Sequence, residues 1–235
     1  RSARHYFLDF AFDFDALYVH YGQSPQAQAA IVQLQAPAMN GLSYLDTIMC
    51  FQDPKRVRPH STYTSFDGLM AAWDEVDFRK ELKPDFVHKF AFSEEEGIPE
   101  SKTDVNHLTL SFSWYHEPYF IYNKEEGLYA RFEFDEPQID VETNEQLKFT
   151  NIIIQLADMW VIPGDDAGRM DMTLIGSGKG YYVTKGKSVP ITWSKDSHTD
   201  PTQYFLEDGS PLLLNKGKTW IAVFPSDRED KIGFE

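Results

Sequence analysis

Tyr18-Val19-His20-Tyr21-Gly22-Gln23-Ser24-Pro25-Gln26 is the stretch on which the reading of the fold turns. Residues 16–21 are short, aromatic and β-branched, the composition of a buried strand. Gly22 lets the backbone turn. Ser24 followed by Pro25 then signals a helix start: the serine oxygen caps free amides, and proline at the first helical position gives up an N–H that had no partner. A strand running into a capped helix sets amides and a positive dipole end beside the last strand side chain, His20. That is where α/β folds place pockets.

Working outward, the spacing of Tyr6, Phe7, Phe10 and Phe14 predicts a helix over residues 2–13. A short helix is expected over 25–34, a strand near 44–50, a polar loop over 52–63, a helix over 65–76 capped by Ser65, and a strand over 85–92. Phe66, Leu69, Met70 and Trp73 share one side of the 65–76 helix. The acidic Gly/Pro stretch from Ser93 to Lys102 reads as a linker. Beyond it the character changes to alternating short strands. Residues 105–114 alternate, 119–122 and 128–134 form a hairpin, and 149–159 is a long apolar strand. Short strands follow to residue 224, with no helix among them. We expect an α+β protein: an N-terminal α/β domain (1–95), a linker (96–103) and a mainly antiparallel all-β domain (104–235), as one sheet or a partly closed barrel.

The 235 residues carry a net charge of −15. Such a surface argues against nucleic acid and anionic lipid as partners. No run approaches the roughly 18 apolar residues of a membrane helix, and no signal peptide is visible. The chain opens at Arg1 inside a helical pattern, so a segment upstream of it is expected. Cys50 is the single cysteine, which rules out an intrachain disulfide; it reads as a small buried apolar residue rather than a catalytic thiol.

Three constellations could carry chemistry. His20, Gly22 and Ser24 form the first, with Ser24 read as a cap before a nucleophile, because Gly-x-Ser-x-Gly fails at Gln26. The second is Arg58-Pro59-His60-Ser61-Thr62-Tyr63, preceded by Arg56, a basic and hydroxyl-rich loop able to hold a carboxylate or phosphate. The third is Arg1 and Arg4, three apart on one helix face. No metal site is expected, since His107, His116 and Glu117 lack ligand spacing. No cofactor is expected either. Gly176-Ser177-Gly178-Lys179-Gly180 is only loosely like a phosphate loop and reads as a hairpin turn.

Several of these segments together resemble one family. The Arg1–Arg4 opening, His20-Tyr21-Gly22-Gln23-Ser24-Pro25-Gln26-Ala27, the Arg58–Tyr63 loop, Asn151–Gln155, Ile175–Gly180, Ile191-Thr192-Trp193 and Gly217–Ile221 match, in order, the YerB-like lipoproteins of bacteria, a family of unknown function. At the position of Ser61 that family more often has Asn. The resemblance covers nearly the whole chain. It implies two domains and an extracytoplasmic, membrane-anchored location through an N-terminal lipidated cysteine. This sequence lacks that cysteine and the family's first segment, so the N-terminal domain is expected to miss its first strands, or to be completed by a piece outside this chain.

The family brings no established activity, and whether the protein is an enzyme stays open. One expectation is a non-enzymatic module binding a cell-wall or surface component, with Trp114, Tyr115 or Tyr181 stacking on sugar. Another is a hydrolase-like or anion-binding pocket built on His20, Ser24 and residues 58–63, with Arg1 and Arg4 joining, for an anionic small molecule. It requires His20 and His60 to converge. A third is a scaffold that holds a partner protein through the acidic surface.

Overall fold

The computed structural model of the chain describes residues 2–58, 60–95, 97 and 103–235. It divides into two compact units: residues 1–88 with 198–201, and residues 89–197 with 202–235. Of the 96–103 linker, only Gly97 and Thr103 lie among the described residues.

The first unit is built on a βαβ crossover. Strand β1 (Tyr18–His20) leads into helix α2 (Pro25–Gln33), which returns to strand β2 (Ala38–Asn40), parallel to β1 in the register Tyr18↔Ala38 to His20↔Asn40. Helix α1 (Phe7–Phe12) precedes them. It is shorter than expected from the aromatic spacing. Residues 2–4 do not join it, because Ala3 is extended and bridged to Gln23, its N–H donating to the Gly22 carbonyl at 2.9 Å. Leu8 and Phe12, one turn apart, bury with Ala36 against Tyr18, Ile31 and Leu34.

The predicted strand over 44–50 is instead helix α3 (Asp46–Met49) followed by strand β3 (Cys50–Gln52). Leu45 and Met49, four apart, are both buried, which is the helical period. Strand β4 (Thr62–Thr64) pairs antiparallel with β3, so the expected polar loop is the tip of a hairpin. Helix α4 (Phe66–Glu75) is capped by Ser65, whose Oγ accepts from Gly68 N–H at 3.1 Å. Gly68 lets α4 approach α3: a Cβ there would lie 3.1 Å from the Met49 carbonyl oxygen.

The second unit carries, in chain order, β5 (Ala91–Phe92), β6 (Thr103–Asp104), β7 (His107–Leu110), β8 (Tyr119–Asn123), β9 (Leu128–Glu133), β10 (Glu136–Pro137), β11 (Lys148–Phe149), β12 (Asn151–Ala157), β13 (Met159–Val161), β14 (Met170–Met172), β15 (Gly176–Thr184), β16 (Lys187–Lys195), β17 (Gln203–Leu206), β18 (Leu213–Leu214), β19 (Thr219–Pro225) and β20 (Ile232–Phe234). A 3₁₀ segment (Ser226–Lys231) separates the last two. Residues 85–90, expected in a strand, lie outside β5.

Rather than one sheet, these strands make two six-stranded sheets, with β11 also pairing β9 and β6 pairing β16, and two separate pairs, β13–β14 and β5–β18. The first runs β10-β9-β8-β7-β20, and the second β17-β16-β15-β12-β19. Between them lies the larger core: Leu108, Phe120 and Tyr129 from one sheet meet Ile152, Ile154, Val183, Ala222 and Phe224 from the other. Every residue of β12 is buried. Ile152 and Ile154 face the inter-sheet core, while Ile153 enters a second cluster with Tyr182, Ile191, Trp193 and Tyr204 on the opposite face. A strand covered on both sides reads as a continuous apolar run, as Ile152-Ile153-Ile154 does.

The expected hairpin turn at Gly176–Gly180 is the first half of β15. Gly178 and Gly180 answer packing, not turning: a Cβ on Gly178 would meet Trp193 Nε1 at 2.5 Å, and one on Gly180 would meet the Ile154 carbonyl oxygen at 2.3 Å. The true turn is Lys185-Gly186, with positive φ at both residues (48° and 75°), as a two-residue hairpin requires.

Because Ile154 is main chain and cannot step aside, Gly180→Ala should destabilise the second unit by about 1–3 kcal/mol, the range for overpacking. Urea unfolding would show it as a lower midpoint. Equal midpoints for wild type and variant would contradict this account of the glycine.

Candidate functional site

At the carboxyl ends of β1 and β2 the chain builds a compact polar junction. Gly22 turns with φ +75°. Asn40 Oδ1 accepts from Gly22 N–H at 3.1 Å and from Leu42 N–H at 2.9 Å, and Asn40 Nδ2 donates to Gln23 Oε1 at 3.3 Å. One amide thus ties both loops together. His20 is buried, stacks on Tyr18 with centroids 5.4 Å apart, and bonds through Nδ1 to the Gly22 carbonyl at 2.9 Å. Burial pushes the His20 imidazole below its ordinary value, opposed by that bond. Ser24 is buried, and its Oγ accepts from Ala27 N–H at 3.1 Å, the capping geometry read from the sequence. Arg4 Nη1 donates to the Ala3 carbonyl at 3.0 Å and to Ser2 Oγ at 3.1 Å. Burial raises the Tyr18 phenol, and the charge of Arg4 opposes this. The structure therefore gathers Arg4, His20, Gly22 and Ser24, adds Tyr18 and Asn40, and leaves Arg1 outside the described residues. Asn40 escaped the sequence reading because the strand that carries it was not foreseen.

Residues 58–63 belong to the β3–β4 hairpin. Arg58 and His60 are exposed, and Pro59 lies outside the described residues. Ser61 is buried and its hydroxyl donates to Gln52 Oε1 at 2.8 Å. Tyr63 stacks on Phe51, and the Arg56 guanidinium lies 5.5 Å over the Tyr63 ring. Among the described residues, no hydrogen bond, ion pair or ring contact joins this loop to His20. Cys50 is half-buried, and burial with the nearby Asp46 raises its thiol pKa, the direction of an inert cysteine.

A solvent-open apolar groove of about 430 Å³ occupies the other face of the β1–β2 pair. Val19 and Met39 line it from the strands, Leu17 from just before β1, and Leu69, Met70 and Trp73 from α4. His20, Gly22 and Ser24 take no part in it. Its rim is fixed at Asp15, which accepts from Arg79 and, at 2.8 Å, from Lys83 N–H. Burial alone would raise the Asp15 carboxyl; the Arg79 bond, the Lys83 amide and both positive charges outweigh it and hold the group below its ordinary value.

In the second unit the β7–β8 connection ends in a tight tip. Ser113 and His116 bridge, leaving Trp114 and Tyr115 at the turn. Trp114 is 94% exposed and Tyr115 62%. Their rings meet edge to face at 5.2 Å. The base is anchored: His116 stacks on Phe112, and its Nε2 lies 3.0 Å from Glu133 Oε1. Glu133 Oε2 accepts from buried Arg131 at 2.7 Å, and the Arg131 guanidinium sits 4.6 Å over Trp220. Tyr181, grouped with these aromatics in the sequence reading, differs. Its hydroxyl donates to Glu229 Oε1 at 2.6 Å, its ring packs on Phe234, and burial together with Glu229 pushes its phenol up to about 12. Among the described residues no group of three or more His, Cys, Asp or Glu side chains could hold a metal ion, and no helix is long and apolar enough to cross a membrane.

Two measurements test the β1–α2 junction. Ser24→Ala should cost about 1 kcal/mol, the worth of a cap; no loss would deny the cap its role. The unfolded chain protonates its histidine near pH 6.5, above the folded value of His20. The unfolded state therefore takes up the proton first as pH falls. Stability from the neutral buried ring is complete above about pH 6.5 and is lost below it. His20→Asn should flatten the fall in stability between about pH 7.5 and 5.5; parallel curves for the two proteins would contradict it.

Comparison with known proteins agrees with this architecture. Residues 1–79 match the "Protein of unknown function (DUF3048) N-terminal domain", and residues 108–221 match the "Protein of unknown function (DUF3048) C-terminal domain". The chain is 29% identical over 229 residues to the "Putative lipoprotein YerB" of Bacillus subtilis (strain 168), covering 96% of this chain and 66% of that protein. The chain therefore spans just under two thirds of that relative's length. The crystal structure of the YerB protein from Bacillus subtilis superposes with a TM-score of 0.84 at 25% identity, covering 100% of this chain and 76% of that one. With both of its domains matched in order over most of the chain, this protein belongs to the YerB-like DUF3048 family.

Proposed function

We propose that this chain is part of an extracytoplasmic, lipid-anchored protein and acts as a non-enzymatic binding module of the cell envelope, with a wall glycan as its ligand. The observation that carries the reading is the Trp114–Tyr115 tip. Large aromatics dominate core energetics when buried, so a tryptophan left almost wholly in water forgoes about the largest burial gain a side chain offers. Two adjacent aromatics held at a turn offer flat apolar faces with polar edges, the complement of a sugar ring. Trp and Tyr are also the side chains that most often dominate binding surfaces. The lipoprotein name of the Bacillus subtilis relative supports the location.

The His20 junction reads as scaffold beside this. Ser24 Oγ is committed to Ala27, His20 Nδ1 to Gly22 and Arg4 to the Ala3 carbonyl.

Co-sedimentation with purified, insoluble wall glycan tests the proposal. The wild type should be retained, and Trp114→Ala and Tyr115→Ala should each weaken retention at least tenfold, about 1.4 kcal/mol. Trp160→Ala, at a residue 41% exposed in the same unit, should leave it unchanged. Unaltered retention in the Trp114→Ala/Tyr115→Ala double variant would overturn the reading. So would a wild type that ignores glycan and binds lipid vesicles.

A further inference from the structure

The connection from β12 to β15 is a hairpin in its own right. β13 and β14 pair antiparallel in the register Met159↔Met172, Trp160↔Asp171 and Val161↔Met170, and form a separate two-stranded sheet. The ladder is extended at both ends: Thr173 N–H donates to the Asp158 carbonyl at 2.9 Å, and Ile162 N–H to the Arg169 carbonyl at 2.8 Å. The tip is tied by Asp165, whose carboxylate accepts from the Arg169 guanidinium at 2.8 Å and from Ala167 N–H at 2.9 Å.

Side chains alternate along a strand, and directly opposed residues share a face. Met159, Val161, Met170 and Met172 therefore occupy one face of this hairpin, and Trp160 and Asp171 the other. The chain has six methionines. Met39 and Met49 are buried in the first unit, and Met70 lines the apolar groove there. All the methionines of the second unit are gathered on this one hairpin face. Met170 is 41% exposed, and Met159 and Met172 are half-buried. Pleated strands favour β-branched and aromatic side chains over unbranched ones, and a lone two-stranded ribbon is marginal in water. A ligand joining β13 to β14 would hold it together.

The spacing lets the sulfurs meet. Opposed Cβ atoms such as those of Met159 and Met172 lie about 4.5–5.5 Å apart, and diagonal neighbours such as Met159 and Met170 about 7–8 Å. Three rotatable bonds in each methionine allow the thioethers to close on a common point. The remaining side chain on the face is Val161, so the set offers no side-chain oxygen or nitrogen. That excludes hard cations, which need oxygen. Neutral, soft thioethers select Cu(I).

We propose that the β13–β14 hairpin binds a soft monovalent metal ion, Cu(I), through Met159, Met170 and Met172. The site lies on this hairpin alone and does not depend on the glycan reading. Thioethers have no proton to displace, so affinity should stay level between about pH 7.5 and 5.5, where histidine or thiolate sites weaken.

Titration with Ag(I), which shares the ligand preference of Cu(I) without its redox chemistry, tests the proposal. The full chain carries Cys50→Ala, to remove the competing thiol, and isotope-labelled methionine methyl groups, each giving its own NMR signal. A single equivalent of Ag(I) should shift the Met159, Met170 and Met172 signals and leave those of Met39, Met49 and Met70 in place. Zn(II) should shift none of them. Met159→Leu removes the ligand from β13 at nearly constant volume and should weaken Ag(I) at least tenfold, with circular dichroism showing the variant folded. Hairpin signals that ignore Ag(I), equal shifts with Zn(II), or full affinity in folded Met159→Leu would each overturn the proposal.

Discussion

β12 is the constraint on which the second unit depends. It is fully buried, paired antiparallel to β15 on one edge and parallel to β19 on the other. Its alternate side chains enter two different hydrophobic clusters. A one-residue slip would exchange those faces, driving Asn151 and Gln155 to the side where Ile152 and Ile154 now sit. The polar residues make that slip costly. Asn151 Oδ1 accepts from the Tyr182 hydroxyl at 2.6 Å, and its Nδ2 donates to the Asn215 carbonyl at 2.8 Å; Gln155 Oε1 accepts from the Tyr204 hydroxyl at 2.8 Å. Buried amides must be satisfied, so these bonds fix register where apolar packing alone would tolerate shifts.

Elements with a strong local signature were legible from sequence. The Ile152-Ile153-Ile154 run, the Asn123–Leu128 hairpin and the serine caps at 24 and 65 all read correctly, because each is set by side chains next to one another in the chain. The misreadings share a cause. Gly178 and Gly180 looked like turn residues until Trp193 and Ile154, distant in sequence, were seen to occupy the space of their Cβ atoms. Tyr44–Cys50 looked extended, yet Leu45 and Met49 face a common core with Ala72 of α4. β2 spans three residues, Ala38–Asn40, too few for an alternation pattern to register.

The same limit separates candidate site residues from the site. Sequence could name Trp114, Tyr115 and Tyr181 as aromatics on a β-rich half, but exposure is a property of the folded surface. Tyr181 is turned inward by Glu229 and Phe234, while Trp114 sits exposed on a turn. Likewise, the apolar side of the 65–76 helix was legible as a stripe, but not that part of it lines an open groove beside β1 and β2.

The exposed tip stands on a braced base. A loop aromatic that must be ordered on binding loses part of its contact energy to entropy. Here the turn is closed by the Ser113–His116 bridge, and His116 is held by Phe112 and Glu133. Glu133 is tied to Arg131, whose guanidinium is covered by Trp220 from the facing sheet. The chain of contacts runs from the turn that carries the exposed tryptophan to the inter-sheet core. Arg131 has a cost in that arrangement, since its Nε and Nη1 are buried without a hydrogen-bond partner among the described residues, and unsatisfied buried donors are destabilising. A core of stability alone would favour an apolar side chain at this position. A buried arginine with one carboxylate partner makes sense where that carboxylate must stay in place, and the residue it holds at its other oxygen is the one that closes the aromatic tip.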